Sequence, residues 1–195
     1  MTARAPKMSV HAALTCLVLL ASQAAALDCN FLQLHQQRFN LQSLELLKEM
    51  RTKPSPECLE SPPAFAFPAK ILGIHEPWLA TKVVHQTLSG FLDILSDDLL
   101  PTGWAAAPRE RFLKMLHAQA ESVQECLGEG GAAPRSMEKW KHLLRLKKYF
   151  QRIRTFLQTK GHMKCTSENM RLEFQAAFVY LDILTKRIKT WKHLS

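Results

Sequence analysis

The chain has no C-x-x-C, no N-x-S/T sequon and only seven glycines in 195 residues. The first absence argues against a redox or zinc-ribbon motif, and the second against N-glycosylation. None of the glycines forms a phosphate-cradling loop or a nucleophile elbow. The eight histidines include no pair at metal-binding spacing; His75-Glu76 runs into Pro77 with no second histidine, so it fails as a zinc-protease motif. Asp97-Asp98 reads as a solvated helix end rather than a catalytic pair. No constellation of nucleophile, base and orienter is visible, so no enzyme, cofactor or metal is expected. No alternating run long enough for a strand occurs. Acidic residues are in deficit, 17 against 26 basic ones, giving a formal charge of +9.

What is present begins with an export signal. Arg4 and Lys7 precede an apolar run from Val10 to Ala21, and Ala24-Ala25-Ala26 offers small residues for cleavage. Residues 1–26 are therefore expected to be removed, taking Cys16 with them, and residues 27–195 to form one domain in the extracellular space. The charge falls by two to +7. No later stretch is apolar enough to span a membrane. Cys29, Cys58, Cys126 and Cys165 remain, an even number that in an exported protein implies two disulfides. Four cysteines allow three pairings, and the sequence does not choose among them.

Helical periodicity runs along the rest. From Cys29 to Met50, Leu32, Phe39, Leu46 and Met50 share a face, with Leu41, Leu44 and Leu47 beside it. Arg51 to Pro68 holds five prolines and reads as a long connection, pinned by Cys58, Phe65 and Phe67. Pro77 opens a second helix with Ala80, Val84, Leu88, Phe91 and Leu95 inward. A third is expected to start at Pro108, with Phe112, Leu116, Val123 and Leu127 inward, and to end at Gly128. Glu129 to Pro134 reads as a surface link.

Two amphipathic helices follow. Leu143, Leu146, Phe150, Ile153 and Leu157 line one face of the first, and Lys141, Arg145, Lys148 and Arg152 the other. Met170, Phe174, Ala177, Leu181, Leu184, Ile188 and Trp191 mark the second, with Thr166 or Ser167 as its expected cap and Glu168 in its first turn. The whole is an all-α chain of about five helices, a bundle with one long overhand loop. The basic face of the fourth helix suits an acidic protein partner, is next best read as an ordinary solvated face, and more weakly suits a polyanion of the heparin kind. Its aromatics form no exposed stacking platform, so nucleic acid is not expected.

Lys147 to Ile153 reads K-K-Y-F-Q-R-I; Cys165 follows 16 positions after Tyr149, with Glu168 and Arg171 beyond. Cys58-Leu59 precedes Phe65-Ala66-Phe67-Pro68, and Trp104 precedes a helix ending in Glu125-Cys126. Together these resemble the type I (alpha/beta) interferons over most of residues 27–195. The resemblance implies a five-helix, up-up-down-down cytokine bundle, with Cys29 paired to Cys126 and Cys58 to Cys165. It implies a secreted, monomeric, non-enzymatic cytokine that does not insert into membranes. Such a cytokine bridges two receptor chains on opposite sides of the bundle and triggers JAK-STAT antiviral signalling. Leu59 in the loop and Arg171 on the last helix would face the high-affinity chain, and Lys147 and Lys148 the other. The family pattern is broken at Pro62, Ser167, Gln175 and Ala176, the marks of a divergent member. Two further readings fit the bare residues: another helical cytokine, and a cationic heparin- or membrane-binding defence protein.

Overall fold

The computed structural model describes residues 29, 31–51, 65–96, 103–128, 137–160 and 165–188. Within these residues five α-helices and one short 3-10 helix occur, and no strand. They are α1 (Leu32–Glu49), a 3-10 helix (Ala69–Gly73), α2 (Pro77–Ser96), α3 (Ala106–Leu127), α4 (Met137–Lys160) and α5 (Thr166–Thr185). The all-α five-helix bundle expected from periodicity is the architecture found. The expected signal peptide, Cys58, Leu59, the Glu129–Pro134 link and Trp191 lie outside the described residues.

The helices pack because their apolar stripes close on one core. α1 lies against α5 and α3, α2 against α3, α4 and α5. Phe91 of α2 sits near the centre and is fully buried. Its ring lies 4.4 Å from Phe174, 5.6 Å from Phe150 and 5.7 Å from Phe178. Phe178 in turn meets Phe39 and Phe112. Tilted and edge-on pairs of this kind add about 0.5–1.5 kcal/mol each beyond the area they bury.

The periodic positions of α2, α3 and α5 are buried as their spacing predicts. Four details differ from the sequence reading. Leu41 is 62% exposed, on the side of α1 that turns toward α3 and away from the core. On α4 the fully buried aromatic is Tyr149, while Phe150 is half-buried over Gly90. α3 begins at Ala106, so Pro108 falls within its first turn, where no amide hydrogen is needed. Neither Thr166 nor Ser167 caps α5: Cys165 holds the cap position without a side-chain bond, and Thr166 Oγ1 donates to Lys160 O at 2.6 Å. That hydroxyl stitches the end of α4 to the start of α5. Gly128 ends α3 at φ 71°, a backbone conformation that suits glycine.

Cys29 and Cys126 form a disulfide across 97 residues, with their Cα atoms 5.3 Å apart. In the chain-entropy view, closing a loop of about 100 residues stabilises by about 4.7 kcal/mol. Cys165 is disulfide-bonded as well.

Candidate functional site

Two surfaces collect the residues that sequence reasoning singled out. The first is the end of the overhand connection where it meets α4 and α5. Phe65 is buried edge-on against Phe156, with centroids 5.1 Å apart. Phe67 meets Tyr149 edge-on and stacks on Tyr180 at 4.9 Å and 2°. Ala66, between them, is exposed and has φ 52°, the left-handed region that a β-carbon disfavours. Arg152 holds it there: Nε donates to Phe65 O at 2.8 Å and Nη2 to Ala66 O at 2.9 Å. Arg152 therefore does not belong to a free basic face; it clamps the loop.

Beneath this clamp, burial pushes the Tyr149 phenol well above its ordinary range, and the Glu173 charge adds to the effect. Burial likewise raises the Glu173 carboxyl, against the pull of Tyr149 and Arg152.

Arg171 is buried, its side chain only 6% exposed. Its Nε and Nη2 fork onto Glu168 Oε2 and Oε1 at 2.8 and 2.7 Å. Nη1 donates to Leu47 O at 3.3 Å and Gln175 Oε1 at 3.2 Å. Leu47 O belongs to the last turn of α1, where carbonyls lack helical partners and cations are favoured. Arg171 thus ties the start of α5 to the end of α1. The neighbouring loop closes on the same place. Trp104 Nε1 donates to Ser167 O at 2.9 Å, and a β-carbon on Gly103 would meet Ser167 Oγ at 2.4 Å. Any side chain at position 103 would therefore collide with Ser167.

The second surface is a cleft of about 380 Å³ between α2 and α4. Lys82, His85, Gln86 and Ser89 line it from α2, and Lys147, Gln151 and Arg154 from α4. Gly90 makes its floor possible, because a β-carbon there would come within 2.4 Å of the Phe150 ring. Burial, and then the Lys82 charge, lower the His85 imidazole. Arg154 pairs with Asp93 at 3.4 Å. Lys147 and Lys148 are exposed and form no ion pair among the described residues. Along the outer side of α4, Met137, Trp140 and Leu144 are also exposed, at 78, 52 and 50%.

Sequence reasoning missed a polar relay through the bundle. Gln119 Nε2 donates to Gln36 Oε1 at 2.7 Å, Gln36 Nε2 to Asn40 Oδ1 at 2.8 Å, and Asn40 Nδ2 to Thr185 Oγ1 at 3.2 Å. Gln36, Asn40 and Thr185 are fully buried. The signal was there: Gln36, Asn40 and Ser43 interrupt the apolar stripe of α1 at helical spacing. Among the described residues no group of side chains is placed to hold a metal ion, and no helix is long and apolar enough to cross a membrane.

Residues 32–188 match the family model described as the interferon alpha/beta domain. The chain is 30% identical over 176 residues to interferon type A1/A2 of Gallus gallus, covering 89% of this chain and 90% of that protein. It is 29% identical over 157 residues to interferon beta of Tachyglossus aculeatus aculeatus, covering 80% and 84%. Zebrafish interferon 1 superposes with a TM-score of 0.63 at 21% identity, over 77% of this chain and 94% of that one.

Proposed function

The chain belongs to the interferon alpha/beta family, and from that membership we propose that it is exported and bridges two different receptor chains as a monomer. Joining the chains would bring their associated kinases together and start JAK-STAT antiviral signalling. The chemistry is recognition alone. The observation that carries the proposal is the seating of Phe65 and Phe67 on α4 and α5, because it makes the loop end and the last helix one rigid surface. Preorganised loops on rigid scaffolds lose little entropy on binding.

Leu59 and its neighbours in the sequence would meet the high-affinity chain. Arg171, being buried, would serve that surface as a positioning residue that fixes where α5 starts. Lys147 and Lys148, exposed on α4 beside the α2 cleft, would face the second chain. The test is charge reversal. In Lys147→Glu/Lys148→Glu protein, high-affinity binding should stay within about twofold, while STAT phosphorylation falls at least tenfold, the loss expected when like charges are set against a partner. Full signalling by this variant would remove the α4 assignment. Equal signalling in cells lacking either receptor chain would remove the bridging mechanism.

A further inference from the structure

We infer that the α2–α4 cleft and the cationic row across the exposed crest of α4 from it together form a track for a linear sulfated polysaccharide. Lys82 and Lys147 converge on the cleft from two helices, and neither has an ion-pair partner among the described residues. The carboxylate in the lining is Asp93, already held by Arg154. Gln86, Gln151 and Ser89 supply neutral donors suited to sulfate and hydroxyl oxygens.

A second cationic row lies across the exposed crest of α4 from the cleft, about 100–160° round the helix from Lys147. Lys148, Arg145 and Lys141 repeat at helical spacing and likewise form no ion pair among the described residues. At 1.5 Å per residue they cover about 10 Å of helix axis. Only one acidic residue, Glu138, occurs in α4. A single small anion would occupy the cleft and leave this row idle. A chain carrying anions at intervals would use both.

The shape of the surface separates this ligand from other polyanions. Trp140 is the exposed aromatic of α4; Tyr149 is buried and Phe150 and Phe156 are half-buried. One ring is no platform for successive bases. The cleft is concave, whereas a bilayer presents a plane. The track also shares Lys147 and Lys148 with the surface assigned to the second receptor chain. Polysaccharide-bound protein would then be held outside cells in a form that signals only after release. That consequence rests on the proposed receptor assignment; the track itself does not.

The test uses the oxidised chain from residue 27 to 195 and heparin as probe. Retention at physiological salt is expected. The Lys82→Gln/Lys147→Gln/Lys148→Gln variant should elute earlier, and its slope of log affinity against log salt should fall by about one per lysine. An Arg38→Gln/Lys48→Gln/Lys114→Gln variant, losing the same charge from α1 and α3, should elute like the parent. Equal shifts in both variants would mean net charge alone and overturn the track. So would no retention, or equal capture by phosphatidylserine vesicles that the cleft variant abolishes. Heparin retention without STAT phosphorylation would leave the track standing and sink the receptor reading.

Discussion

Arg152 on α4 holds Phe65 by its carbonyl oxygen, at 2.8 Å across 87 residues of sequence. With the parallel bond to Ala66, the fork fixes a positive-φ alanine between two seated phenylalanines. Hydrogen bonds to a charged donor contribute about 1.5–3 kcal/mol, less where exposed. Arg152→Ala should therefore lower the melting temperature by about 3–6 °C for a chain of this size. Protease cleavage near Phe65 should quicken. Arg152→Lys should restore little, since an ammonium cannot fork onto both carbonyls. Unchanged proteolysis would mean that the aromatic rings alone hold the loop.

The Glu168–Arg171 pair is buried on both sides, at 6% exposure each. Removing one partner strands the other charge, at about 3–5 kcal/mol. Arg171→Met should show that loss in chemical denaturation. Glu168→Gln/Arg171→Met should recover at least half of it. If the double variant is no better than the single one, the bonds to Leu47 and Gln175 carry the stability, and the ion pair does not.

At Gly90, a β-carbon would lie 2.4 Å from the Phe150 ring. Alanine is the better helix former by about 1 kcal/mol, but overpacking costs about 1–3 kcal/mol. Gly90→Ala should be net destabilising, and Phe150→Leu should be less harmful in the Gly90→Ala background than in the parent. A stabilised Gly90→Ala protein would show that the ring moves aside at no cost.

Burial raises the Glu173 carboxyl, so the folded state holds that proton more tightly than the unfolded chain. Stability from this group is fully present below the ordinary carboxylate pKa and is lost as pH rises through the elevated one. Glu173→Gln, neutral at every pH, should melt roughly 1–3 °C higher than the parent at pH 7. The difference should close near pH 4. A variant less stable than the parent at pH 7 but not near pH 4 would mean that the carboxylate's attraction to Arg152 outweighs its desolvation.

Much of this was legible in the sequence, because helix faces and loop anchors are local patterns. The stripes of α2, α3 and α5 emerged from spacing alone, and Phe65 and Phe67 announced a pinned loop. What escaped depends on partners far along the chain. Gln36 and Asn40 stand in the apolar stripe of α1, but their partners Gln119 and Thr185 lie 83 and 145 residues away and no local pattern names them. Glu168 and Arg171 stand at ion-pair spacing, yet their burial follows from the end of α1 packing over them. Arg152 fits the periodicity of a basic face; only the returning loop turns it into a clamp. Leu41 fits the apolar stripe of α1, and nothing local reveals that it faces a groove beside Met115.

The bond between Cys29 and Cys126 makes the polypeptide a witness to its own route. Thiols pair where oxidising conditions prevail and stay reduced in the cytosol. Molecules retained inside the cell would keep the start of the chain untethered from α3, whereas molecules that passed through an oxidising compartment would carry the knot. Electrophoresis with and without reductant would therefore sort the two populations by history, needing no antibody and no assay of activity.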